Sequence, residues 1–110
     1  MSIMLRKEIL KKYDGRCAYC GNQINETNMT IDHFDPKSKG GSLSIHNLVP
    51  SCKRCNEIKA DGSIKDMKKK IEKSIKTLSR NKDFQMLKKY GLLKIEKEPI
   101  VFYYEIYEEK

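Results

Sequence analysis

The sequence predicts a small α+β domain in which short strands and helices are closed by paired cysteines, with no large apolar core. Three observations predict it. Hydrophobic residues make up 38% of the 110 residues and charged residues 35%, which is thin apolar material for a free-standing fold and favours a staple. Two Cys-x-x-Cys turns, at Cys17/Cys20 and Cys52/Cys55, bracket two short strand-like runs. Ile64, Met67, Ile71, Ile75 and Leu78 recur in steps of three and four, the period of an amphipathic helix.

The elements follow in order. Residues 2–13 read as a helix with Ile3, Ile9, Leu10 and Tyr13 on its apolar side, ended by Asp14-Gly15. Cys17 to Asn22 forms a tight knuckle in which Gly21 or Asn22 supplies a positive φ. Met29 to Phe34 is a β-branched strand that Asp35-Pro36 leads out of, into a flexible polar loop from Lys37 to Ser44. Leu48-Val49-Pro50 is a second strand, and Cys52 to Ala60 a helix starting under the second cysteine pair. Asp61-Gly62 breaks the chain, and Ser63 with Asp66 resembles a capping box. The helix that follows carries Lys65, Lys68, Lys69, Lys73, Lys76 and Arg80 on its wet side. Phe84 to Tyr90 forms a further helix closed by Gly91, and Leu92 to Tyr107 is expected to be a β-hairpin turning near Glu98-Pro99.

The net charge of +8 points to a polyanionic partner, nucleic acid first and an anionic membrane second. Residues 64–97 hold twelve Lys/Arg against four Asp/Glu, so this stretch equals the whole excess. Its lysines either follow a nucleic-acid backbone or simply solvate a helix face. The first residues become charged at once, unlike a signal peptide, and no apolar run approaches the roughly 18–20 residues that span a bilayer. A cytoplasmic protein with no membrane partner is expected, in a compartment where paired thiols more often hold metal than form disulfides.

The two cysteine pairs are separated by 31 residues, so an element must sit between the knuckles. Two Cys-x-x-Cys turns complete a tetrahedral Zn²⁺ site. The rival chemistries are a dithiol redox site, an iron–sulfur cluster or two disulfides. Four thiolates leave no open coordination position, so such a zinc is structural and folding depends on it.

Both histidines lie between the cysteine pairs, each beside a second polar residue: Asp32-His33 and His46-Asn47. With Arg16-Cys-x-x-Cys-Gly21, Gly40-Gly41 and Cys52-x-x-Cys55-Asn56-x-x-Lys59, they form a pattern over residues 13–60. This pattern resembles the HNH endonucleases in their zinc-stapled form, and is similar to the nuclease domain of RNA-guided CRISPR effectors. The final His of the motif is Asn56 here, an H-N-N variant. The resemblance implies a ββα-metal (His-Me finger) core with a four-cysteine zinc site, flanking helices and a C-terminal β-hairpin. It divides the chain into a nuclease core with knuckles over residues 1–62 and a basic helical segment with the hairpin over residues 63–110, packed on the same domain.

The implied activity is hydrolysis of DNA phosphodiester bonds by a one-metal mechanism. His33 is the expected general base, because neutral imidazole titrates near physiological pH. Asp32 and Asn56 are the expected ligands of a catalytic divalent ion; the neutral amide oxygen leans towards Mg²⁺ or Mn²⁺. Asn47 ties down the loop and orients His33. Lys59 and Arg54 are expected to meet phosphate, with Lys65 and Lys69 contacting the nucleic acid from the basic helix. His46 is either a surface residue or a phosphate or ion contact. In a strand Asp32 and His33 would face opposite sides unless the chain bends there. The C-terminal strand offers an edge for a protein partner or a second copy. Two rivals stand: a non-catalytic zinc module that only binds nucleic acid, and a nicking subunit active only with a phage or mobile-element partner.

Overall fold

The computed structural model describes residues 3–108. Helix α1 spans Ile3–Lys11. Ile9 is its fully buried residue, packed with Met29 and Leu48, while Ile3 lies largely in solvent. Lys12 just beyond donates its ammonium to the carbonyls of Ile45 and Leu48 at 2.5 and 2.6 Å, tying the helix end to the loop that enters the second strand.

Strand β1 (Met29–His33) pairs antiparallel with β2 (Leu48–Cys52) in a two-stranded sheet, from Met29 opposite Cys52 to His33 opposite Leu48. Both strands are edges, so Pro50 costs no ladder hydrogen bond that a third strand would need. Its carbonyl instead accepts from the Ala18 amide at 2.9 Å, which seats the first knuckle on the sheet. Helix α2 (Lys53–Lys59) follows β2 without a linker, and Cys52 caps it through its sulfur.

Helix α3 (Ile64–Leu78) starts on the expected capping box, with Ser63 and Asp66 bonding each other's backbone amides. Met67 is buried in the main core with Ala18, Tyr19, Val49 and Phe102, and Ile64 and Ile71 pack against it. The same apolar stripe then runs out of partners: Ile75 and Leu78 are exposed. Helix α4 (Lys82–Lys89), capped by Asn81, buries Phe84. No helix of the described residues is long and apolar enough to cross a membrane.

The C-terminal segment corrects the sequence expectation. Among the described residues there is no strand after β2; the chain runs irregularly to Phe102 and closes in one helical turn, α5 (Tyr103–Ile106). The amides of Tyr103 and Tyr104 bond the carbonyls of Tyr19 and Ala18 at 2.9 and 2.8 Å, so the knuckle takes the place of a partner strand. Phe102 enters the core edge-on to Tyr19, Tyr104 packs on Phe34, and Tyr103 and Tyr107 pack on Tyr13. The clustered aromatics Phe102, Tyr103, Tyr104 and Tyr107, in a segment that reads as a strand, are docking anchors. The hairpin edge expected to pair with a partner or a second copy is therefore absent among the described residues. Lys68 of α3 closes the joint, 2.9 Å from the Glu105 carboxylate and over the Phe102 ring.

Candidate active site and metal centre

The four cysteines come together from two local devices. In the first knuckle Gly21 adopts φ +76°, and its amide returns to the Cys17 carbonyl at 3.0 Å. In the second, the Cys52 sulfur accepts the Cys55 amide at 3.3 Å as the helix begins. All four sulfurs lie within 4.8 Å of one another, and Cys20 and Cys52 are 3.9 Å apart. A tetrahedral site with Zn–S near 2.3 Å requires sulfurs about 3.8 Å apart, whereas a disulfide requires about 2.05 Å. So many thiols in one place cannot share a charge evenly. The Cys17 thiol is held down to about 4 by the hydrogen bond from Cys55, and that same bond pushes the Cys55 thiol up. The spacing and the all-sulfur donor set fit Zn²⁺.

A cleft of about 310 Å³ opens at the end of β1, lined by Asp32, His33, Pro36, Lys37, Lys59 and Asp61 among others. His33 is the last residue of β1, and it lines this cleft together with Asp32. Asp32 is buried. Its Oδ2 accepts from the Tyr19 hydroxyl and faces the Lys59 ammonium at 3.1 Å. The Lys59 ammonium also donates to the His33 carbonyl at 2.8 Å. Burial and the Asp32 charge together push the Tyr19 phenol well above its ordinary value.

Lys59 departs from expectation. Its side chain is 0% exposed and points into the protein, away from any phosphate in solution. A carboxylate taken out of water needs a counter-charge, and Lys59 supplies it. Arg54 does lie in solvent, 78% exposed and 3.7 Å from Glu57, but beside Ile58 and Lys70 and not in the His33 cleft. Asn56 sits half-buried one turn before Lys59 and does not line that cleft either. His46 is exposed on a separate shallow surface with Gly40 and Gly41. Lys65 and Lys69 are exposed on α3. Lys69 joins Lys39, Asp61, Lys70 and Lys73 around a second cleft of about 410 Å³. Asp61 lines both clefts, so they adjoin.

Asn47 clamps the loop between the strands. Its Oδ1 accepts the Asp35 amide at 2.8 Å, while its Nδ2 donates to the carbonyls of Asp35 and Ser42 at 2.9 and 2.7 Å. The Phe34 amide bonds the Asn47 carbonyl at 2.8 Å, so the residues just after His33 are held from both sides. Gly41 has a steric reason: a Cβ there would fall 1.7 Å from the Asp35 carbonyl oxygen. Sequence reasoning missed Tyr19 and Asp61. Tyr19 looks like filler inside a Cys-x-x-Cys turn, and nothing local pairs it with a carboxylate 13 positions away. Asp61 reads as a turn residue, and its place follows from Ala60, a non-glycine at φ +49°.

These features agree with what comparison with known proteins finds. A profile of the HNH endonuclease family matches residues 17–72, just over half of the chain. The CRISPR-associated endonuclease Cas9 of Corynebacterium diphtheriae is 37% identical over 57 residues, covering 51% of this chain and 5% of that protein. The Septu protein PtuB of Bacillus thuringiensis is 36% identical over 56 residues, 47% of this chain and 22% of the relative. The crystal structure of the Type II-C Cas9 enzyme from Actinomyces naeslundii shares the fold, with a TM-score of 0.56 at 23% identity over 87% of this chain and 13% of that one. The chain thus spans a small part of each of these proteins. A knuckled four-cysteine cluster, an Asp–His pair at a strand end and a family match covering both place the chain in the HNH endonuclease family.

Proposed function

We propose that the chain is a metal-dependent DNA endonuclease that works by a one-metal mechanism on a zinc-stapled ββα-metal core. The observation that carries this reading is the meeting of Asp32 and His33 in one cleft at the end of β1. Cys17, Cys20, Cys52 and Cys55 hold a structural Zn²⁺. Asp32, which lines the cleft, and Asn56, which lies outside it, are the hard oxygen donors that would hold Mg²⁺ or Mn²⁺ if the Asn56 amide turned towards Asp32. Two protein ligands suit an ion that keeps several waters. When bound, that ion supplies Lewis acidity and a template for the scissile phosphate.

His33 takes a proton from the attacking water, whose oxygen bonds to phosphorus as the bond to the 3′ oxygen breaks. Asn47 works at a distance from substrate, keeping the Phe34–Asp35 backbone in place so that the imidazole is aimed. DNA enters along the adjoining lysine-lined cleft, where Lys69 acts with Lys39 and Lys73, while Lys65 and Arg54 touch more distant phosphates. Lys59 is reassigned from phosphate contact to internal counter-ion. Residues 1–62 carry the chemistry and residues 63–110 the basic helical support, in a protein acting in the cytoplasm.

A second reading has one observation in its favour. Lys59 already occupies the carboxylate that a catalytic ion would need, as in a zinc module that only binds nucleic acid. Activity only alongside a phage or mobile-element partner is a variant of the nuclease reading. A supercoiled-plasmid assay separates them. Wild type with Mg²⁺ or Mn²⁺ converts the plasmid to nicked or linear form, and His33→Ala binds DNA equally but cuts ~10²–10⁴ more slowly. Binding without cutting under every divalent ion, for wild type as for the variant, favours the binding module.

A further inference from the structure

Three buried groups from three elements meet at one point. Tyr19 comes from the turn between Cys17 and Cys20, Asp32 from β1 and Lys59 from the last turn of α2, four residues after Cys55. Tyr19 and Lys59 are at most 2% exposed and Asp32 6%. The Tyr19 ring is fixed by Phe102 and Tyr104, with centroids at 5.4 and 6.4 Å. Each end of the network is therefore rooted in the four-cysteine cluster, one through the first knuckle and the other through the helix that the second knuckle starts.

We propose that Tyr19 is a positioning residue of the cleft, through which the cysteine cluster sets the orientation of Asp32. The inference rests on the nuclease reading above. Both contacts to the Asp32 carboxylate fall on Oδ2, a hydrogen bond from the Tyr19 hydroxyl and an ion pair with the Lys59 ammonium at 3.1 Å. Two contacts on Oδ2 oppose rotation of the carboxylate, and Oδ1 would then be the oxygen offered to a hard cation in the cleft. Lys59 also donates to the His33 carbonyl at 2.8 Å, so one ammonium ties the carboxylate to the backbone of the adjacent histidine. The zinc staple then does more than stabilise the fold: it aims the carboxylate. A hydrogen bond that orients a metal-ligating carboxylate costs metal affinity when removed.

The test is Tyr19→Phe, which deletes one oxygen and keeps the ring packing. Zinc content, thermal unfolding, Mn²⁺ binding followed by electron paramagnetic resonance without DNA, and the Mn²⁺ dependence of plasmid cleavage are measured together. The expected result is zinc retained at the wild-type level with Mn²⁺ bound ~10–100-fold more weakly. Cleavage recovers most of its rate once Mn²⁺ saturates, which separates KM for the ion from kcat. A variant that keeps its zinc and matches wild type in Mn²⁺ affinity overturns the proposal, and so does one whose cleavage loss persists at saturating Mn²⁺. If Tyr19→Phe fails to fold, wild-type protein labelled with 3-fluorotyrosine decides. Mg²⁺ should then shift the Tyr19 fluorine resonance, leave that of exposed Tyr90 in place, and lose its effect in Asp32→Asn; an unmoved Tyr19 signal overturns the proposal. Wild type that neither binds Mn²⁺ nor cuts removes the nuclease reading and this inference with it. Wild type that cuts beside an unaltered Tyr19→Phe removes this inference alone.

Discussion

The knuckle, sheet and α2 region differs from the α3–α4 region in what holds it together. In the first, stability sits in a few polar and sulfur groups with little freedom: four clustered sulfurs, the Tyr19–Asp32–Lys59 network and the Asn47 clamp. In the second it sits in an apolar stripe only half of which finds partners. Met67 is buried and Ile71 packs on the core, while Ile75, Leu78, Met86, Tyr90 and Leu92 are exposed. The contrast teaches that a small charged chain concentrates its specification where chemistry is done and lets the remainder follow by ordinary amphipathic packing.

The sharpest way to break the comparison is to remove the metal. Cys52→Ser or chelation is expected to unfold both regions together, because α3 packs its Met67 on the knuckle residues. Structural zinc contributes an apparent ~10–16 kcal/mol in small domains. Circular dichroism checks this, and persistence of full helicity without zinc would refute the staple. Next comes the contrast between two lysines. Lys59→Ala leaves Asp32 buried without its counter-ion and should cost about 3–5 kcal/mol in denaturant unfolding. Lys65→Ala, on the exposed face of α3, should stay within about 0.5 kcal/mol. Equal effects would erase the distinction between the regions.

Gly41→Ala is a smaller perturbation of the first region. The added Cβ meets the Asp35 carbonyl oxygen at 1.7 Å, so the loop must shift, at about 1–3 kcal/mol if it behaves as an overpacked site. Cleavage should fall with it, since the same loop follows His33; unchanged melting and activity would show the loop is free to relax. The second region is tested more gently by Ser63→Ala, which removes the α3 cap and should cost ~1 kcal/mol. The smallest effect is expected from Leu92→Ser, at a residue 77% exposed, with unfolding free energy moving by no more than about 0.5 kcal/mol. A larger loss would mean that this apolar face has a partner in solution.

Much of the first region was legible because its signals are local. Cysteine spacing announces the knuckles, Gly21 the turn, Ser63 and Asp66 the start of α3, and Asp35-Pro36 the exit from the first strand. The C-terminal segment was misread for a physical reason. Clustered aromatics favour a strand only if a partner strand takes their backbone amides, and here the knuckle carbonyls of Ala18 and Tyr19 take those of Tyr104 and Tyr103. Lys59 was misread in the same way, since a lysine one turn from a motif residue looks solvated until a buried carboxylate is known to face it.

The sequence by itself determined the staple, the Asp32–His33 pair, the Asn47 loop and the amphipathic helix, because each depends on residues a few positions apart. Only the tertiary structure decided what Tyr19, Lys59 and the C-terminal tyrosines do. Their partners lie 13, 27 and more than 80 positions away. Burial of a carboxylate creates a demand for donors that no local pattern records, and the fold meets it from whichever elements happen to converge there.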